Sequence, residues 1–184
     1  MMTDQPAPQT RQTRWLALTA PGWEPAEAAQ QQPPPEAIIG GWQIDEDGRS
    51  GPFEPNLAYL LADESLPSDP LDAILRQAAD DASQSVDKRN LIRDFIATLR
   101  NSVVDVGCDA NNRPMLGTSE GVPCVLIATA AVHRQGVEVD RWRPLVGDKI
   151  AAVVPAGVEV LINPGSRVSC RLTVAALRQP APRV

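Results

Sequence analysis

Apolar positions along the chain follow two periods. Between Asp69 and Ser102 they recur as on a helix: Leu71, Ile74, Leu75, Ala78 and Ala82 share one face, and Leu91, Ile92, Phe95, Ile96 and Leu99 share another. Asp69 is placed to cap the first helix. Pro70 then takes the first helical position, where its missing N–H costs nothing, and Asp72 lies in the first turn, opposite the positive end of the helix dipole. Asp87 precedes the second helix as a cap, and Asn101-Ser102 end it.

Outside that region the period is that of strands. Trp15 to Leu18 and Ala37 to Ile44 read as strands, the second closed by the turn former Asp45-Glu46-Asp47-Gly48. Residues 52–59 (PFEPNLAY) are too broken by proline for regular structure, so Phe53 and Tyr59 are expected to tack an irregular segment onto a neighbouring surface. Val103 to Val106 is a strand. The continuous apolar run Val122 to Ala130 has the composition of a central strand covered on both faces, with residues 113–117 paired to it as a hairpin across residues 118–121. Residues 145–154 have the composition of a short helix closed by Pro155-Ala156-Gly157. Val158 to Ile162 is a further strand, and Asn163-Pro164-Gly165-Ser166 is a strong turn. Residues 167–174 alternate, with Val168, Cys170, Leu172 and Val174 on the buried side, which predicts a hairpin with the preceding strand and exposed arginines guarding the edge.

Elements in this order predict an α+β fold, a mixed sheet with packed helices over residues 69–178. Residues 14–68 form an N-terminal β-hairpin and an irregular, Pro-rich extension packed on that domain. Residues 1–13 are expected to be disordered and 179–184 to fray. The tract Gln30 to Glu36 (QQQPPPE) reads as an extended linker or external arm, or as a polyproline ligand.

A formal net charge of −6 argues against nucleic acid as a partner. The charge is also divided, with 15 acidic and four basic residues in 1–87 against eight and 13 in 88–184. Arg134, Arg141 and Arg143 around Trp142 therefore form a basic patch with an aromatic, fit to receive the acidic N-terminal half or an acidic partner. The start of the chain has no apolar core of signal-peptide length and no run is long enough for a membrane helix, so a cytoplasmic protein with reduced thiols at Cys108, Cys124 and Cys170 is expected.

Little points to catalysis. His133 is the only histidine and is expected as a polar residue on a short surface helix, far from making a metal site or a Ser-His-Asp relay. No phosphate-binding glycine motif is present, and residues 45–48 lack the ligand spacing of a calcium loop. No cofactor, metal or catalytic residue is assigned. The candidate protein-binding residues are Trp142, Arg141, Arg143 and Arg134, with Asn163 and Ser166 on a turn that shapes one rim of a binding surface.

Two sets of motifs carry a resemblance. Residues 91–102, Val103 to Gly107, Val122 to Ala130 and especially Leu161 to Ser166 (LINPGS) resemble the N-terminal domain of the SseB family. Ile39-Gly40-Gly41-Trp42, Asp47-Gly48, Phe53-Glu54-Pro55-Asn56, Tyr59 and Ser68-Asp69-Pro70-Leu71-Asp72-Ala73 look like the actinobacterial type VII secretion system-associated proteins, which carry an SseB-like C-terminal half. The match covers about residues 14–178. Ala128-Thr129-Ala130 departs from the usual aromatic-Thr-Ser step of SseB-like sequences. The resemblance implies a non-enzymatic cytosolic accessory protein of type VII secretion, acting through protein binding as an adaptor, chaperone or assembly factor, with secretion components or WXG-type substrates as partners. The alternative is a small-molecule-binding regulatory domain with a pocket beside the Val122–Ala130 strand.

Overall fold

The computed structural model describes residues 14–24, 32–59, 63, 65–79 and 88–178, and within them the two periods of the sequence build an α+β fold with two sheets. The first sheet is antiparallel, β1 (Arg14–Thr19), β2 (Ile38–Ile44) and β3 (Ser50–Pro55) in that spatial order. Adjacent glycines on β2 admit one aromatic ring to each face of it. A Cβ on Gly40 would stand 2.5 Å from the Phe53 ring and one on Gly41 2.7 Å from the Trp15 indole. Trp42 pairs directly with Phe53, ring centroids 5.0 Å apart at 61°. Asn56 closes the sheet by donating through Nδ2 to the carbonyls of Pro35 and Ile38, both at 2.8 Å.

Two expectations for this region change. Of residues 52–59, expected to lack regular structure, 52–55 complete β3 because the prolines fall where no ladder N–H is needed, and 56–59 follow as a turn. Pro52 sits where the register with β2 shifts, and Pro55 ends the strand. The QQQPPPE tract ends in a 3-10 turn, Pro35–Ala37, with proline at its first position.

The second sheet contains β4 (Val103–Cys108), β5 (Leu116–Ser119), β6 (Val122–Ala128), β7 (Arg141–Val146), β8 (Glu159–Ile162) and β9 (Cys170–Leu172). Its order is β7-β4-β6-β8-β9, with β5 also paired to β6. Only β6 and β8 are parallel. The expected hairpins are present, the first with its arm at Leu116–Ser119 instead of 113–117, and the β5–β6 turn places Glu120 and Gly121 at φ 51° and 81°, the left-handed pair that suits strand twist. The apolar run of β6 is central and buried on both faces from Cys124 onward.

Helices α1 (Pro70–Ala79), α2 (Lys88–Arg100), α3 (Ile150–Val153) and α4 (Val174–Arg178) bury Leu71, Leu75, Phe95, Leu99, Ile150 and Leu177 against Val104, Val106, Val125, Ile127, Val160 and Ile162 of the sheet. Ala78 and Ile92, assigned to the buried faces, are exposed. Ala82, Asp87 and the predicted disordered ends lie outside the described residues. The helix expected over residues 145–154 is short: Leu145 and Val146 complete β7, whose Pro144 disguises an edge strand that pairs six residues with β4. Likewise Val174 leaves the alternating strand to open α4, where the Thr173 hydroxyl accepts from the Ala176 N–H at 3.3 Å.

The N-terminal sheet is fastened by Phe53. Its side chain is 3% exposed, its N–H donates to Asn101 O at 2.6 Å, and it forms a parallel bridge to Ser102. Burial of such a ring contributes about 1.5–3 kcal/mol. Among the described residues no ion pair joins 14–59 to 65–178. The described contact between these two parts is apolar packing and backbone bonding, while Arg134 is paired with Asp105 of the second sheet; Glu64, Asp80, Asp81 and Asp87 of the half expected to dock by charge lie outside the described residues.

Candidate functional site

Asp69 is the natural place to start. As the α1 N-cap it accepts at Oδ1 from the N–H groups of Leu71 and Asp72, at 2.8 and 3.1 Å. Its second oxygen faces inward and accepts from the hydroxyls of Ser68 (2.8 Å) and Thr129 (2.7 Å). Thr129 stands just past β6, and its N–H donates to Asn163 Oδ1 at 2.9 Å while its hydroxyl accepts from Asn163 Nδ2 at 3.0 Å. Asn163 just past β8 is fully buried with φ 50°, and its carbonyl accepts from the Ser166 N–H at 3.1 Å to close the turn. Thr129 thereby joins the cap of α1 to the ends of both parallel strands.

His133 belongs to the same network. It lies on a 3-10 turn, Ala131–Arg134, but is 8% exposed, with Nε2 2.8 Å from Ser68 Oγ, 3.9 Å from Asp69 Oδ2 and 4.0 Å from Asp72 Oδ1. The expected surface position is corrected: the short segment folds back over the sheet because Ser68 and Asp69 offer the ring a polar seat. Burial pushes the imidazole below its ordinary pKa, against the pull of Asp69 and Asp72, and pushes the Asp69 carboxyl up despite its donors. Asp72 accepts at Oδ2 from the Ser68 N–H and from Arg76 Nε, at 2.9 and 2.8 Å, while its Oδ1 is buried without a partner.

The arrangement holds a Ser, a His and two carboxylates but not the wiring of a nucleophilic relay. In a relay the imidazole meets the hydroxyl through one nitrogen and the carboxylate through the other. Here Nε2 faces all three partners, and Ser68, its hydroxyl directed to Asp69, is 1% exposed. The Ser68 hydroxyl also fills the centre of the cluster, and among the described residues no group of His, Cys, Asp or Glu is arranged to hold a metal. All three thiols are free, and burial raises the pKa of each, which disfavours the thiolate.

What the network builds is a wall. In front of it an open cleft of about 380 Å³ is lined by Ser65 and Arg76, by His133 and Gln135, and by Ser166 and Arg167. The Arg76 guanidinium is held by Asp72 and by the Ser65 carbonyl, to which Nη1 donates at 3.0 Å.

The residues singled out in the sequence do not form one site. Trp142 and Arg134 line a groove of about 280 Å³ where Pro55 and Leu57 of the N-terminal region meet the second sheet. Arg134 is held there by Asp105, with Nε at 3.0 Å from Oδ2. Arg141 and Arg143 alternate to the other face of β7, Arg141 exposed beside Asn112 and Arg143 with a buried Nε that has no hydrogen-bond partner. Asn163 holds the turn from within, whereas Ser166 does line the 380 Å³ cleft, as a rim residue should. Sequence reasoning missed Ser68, Thr129, His133 and Arg76 as a group. The available signal was the pair of motifs Ser68–Ala73 and Asn163–Ser166, which Thr129 stitches together.

Comparison of the chain with family models, with curated proteins and with solved structures returns no match, so the geometry carries the functional argument.

Proposed function

We propose that this protein acts by binding another protein, as a cytoplasmic accessory factor of type VII secretion in an adaptor, chaperone or assembly role. The setting comes from the resemblance of its Gly-Trp, Asp-Gly, Ser-Asp-Pro and Asn-Pro-Gly-Ser motifs. The observation that supports the binding role is apolar exposure on the N-terminal sheet. Trp15 and Leu16 are 48% and 56% exposed on β1, which pairs only with β2 among the described residues. Trp15 overhangs a cleft of about 310 Å³ lined by Pro35, Ile38, Pro55 and Asn56, and Leu57 nearby is 60% exposed. A rigid indole next to an open strand edge suits an extended apolar segment of a partner, with main-chain bonds for affinity and the cleft for selectivity. No described helix is long and apolar enough to cross a membrane, which is compatible with the cytoplasmic setting.

The test is quantitative affinity purification of the tagged full chain from its native host, beside a Trp15→Ser, Leu16→Ser double variant. Enrichment of secretion components or WXG-type substrates by the wild type, lost in the variant, supports the reading. Recovery of the protein alone, or equal enrichment by both, contradicts it.

A further inference from the structure

The cleft in front of the buried network brings an arginine unpaired among the described residues together with several hydrogen-bonding groups in a molecule that is acidic as a whole. The chain carries −6 overall, yet the cleft presents Arg167 and Arg76, the latter paired with Asp72, beside the hydrogen-bonding side chains of Ser65, His133, Gln135 and Ser166, and among the described residues no carboxylate lines it. The Arg167 guanidinium makes no ion pair or hydrogen bond among the described residues. Position adds to chemistry, since the cleft opens beyond the carboxyl ends of β6 and β8, the one parallel pair of the sheet, where the crevices of open sheets receive ligands.

The cost of the network points the same way. Burying Ser68, Asp69, Asp72, Thr129, His133 and Asn163 costs desolvation that an apolar core avoids. What that network fixes is the relative placement of three segments: α1 with Ser65 and Arg76, the turn with His133 and Gln135, and the turn with Ser166 and Arg167. Those three segments are the walls of the cleft.

We infer that the cleft is a binding site for a small oxyanion, a metabolite presenting a carboxylate or phosphate group. Arg167 engages the anion through its fork of N–H donors, the Ser166 hydroxyl adds a bond, and Arg76, paired with Asp72, lines the cleft beside them. Val132 and Pro164 flank the polar groups as apolar surface for the remainder of the ligand. The site is separate from the surface around Trp15, and either stands without the other.

The test is an NMR titration of the full chain with inorganic phosphate and with citrate, against sodium chloride at matched ionic strength. The amides of Gly165 and Ser166 and the Arg167 Nε–H are expected to shift saturably with at least one of the two, with a dissociation constant of about 1 mM or tighter. Saturation by one anion alone assigns the head group. Arg167→Ala is expected to weaken binding about tenfold, the loss of one charge-assisted bond; Arg167 is exposed, so the fold tolerates the change, and Arg167→Gln serves as a second variant. Shifts no different from those of chloride, or saturation unchanged in both variants, overturn the inference. The Trp15→Ser, Leu16→Ser variant is expected to bind the anion as the wild type does, which separates failure here from failure of the docking proposal.

Discussion

Thr129 shows how much one hydroxyl can hold at the scale of a residue. It donates to Asp69 and accepts from Asn163, so Thr129→Val leaves the Asn163 amide without its acceptor and Asp69 with one donor fewer, all buried. Destabilisation of about 1–3 kcal/mol is expected from urea unfolding. Thr129→Ser keeps the hydroxyl and loses a methyl, for about 1 kcal/mol or less; equal losses in the two variants would show that the hydroxyl has no such role. His133 gives a second prediction. Its pKa is lowered by burial, so the unfolded chain binds the proton more readily, and the stability His133 contributes is present above its ordinary value near 6.5 and is lost as pH falls through the lowered folded value. The raised Asp69 carboxyl acts oppositely, taking up a proton in the folded state as pH falls, and Asp72 and Arg76 face the same ring. The NMR titration of His133 is expected to inflect below pH 6.5, and an inflection above it contradicts this account. None of this was legible from single positions. A lone histidine among Ala, Val and Arg reads as surface, and only the chain's return through Asp69 gives it a buried partner.

At the scale of elements, period and punctuation sufficed wherever they agreed. Asp69, Pro70 and Asp72 start α1 as their chemistry requires, and the apolar run of β6 is central. Proline is what hid β3 and β7, since a strand can carry proline where its N–H faces no partner, and that depends on register rather than on the local sequence. Gly147, between β7 and α3, illustrates an approach equally invisible in the sequence. A Cβ there would stand 1.8 Å from the Leu99 carbonyl oxygen, a backbone atom at the end of α2 that cannot swing aside. Gly147→Ala is expected to destabilise by about 3 kcal/mol or more. Gly121→Ala, at φ 81° with open space around it, should cost only the left-handed strain of about 1–2 kcal/mol. Thermal melts of both variants check the order, and the reverse order would mean that α2 and the residue-147 turn are not packed as described.

At the scale of the whole molecule, the division of charge along the chain suggested electrostatic docking, but the contact between the sheets runs through Phe53. Phe53→Ala is expected to cost about 3–5 kcal/mol at this contact and to release amide protection in β2 and β3 before β4 and β6, whereas raising salt should leave that protection in place. Loss of protection with salt in the wild type would restore the charge-based account. The joint leaves two candidate faces on one molecule, an apolar one around Trp15 and the Arg167 cleft beyond β6 and β8. We propose that the first of these receives a protein. It is tested most directly by placing a photo-crosslinking residue at position 16 of the full chain in the native host, with position 152 on exposed Ala152 of α3 as control. An adduct with a type VII secretion component or substrate is expected at position 16 and none at 152. Adducts at 152 alone, or none at 16 at native expression, would contradict it.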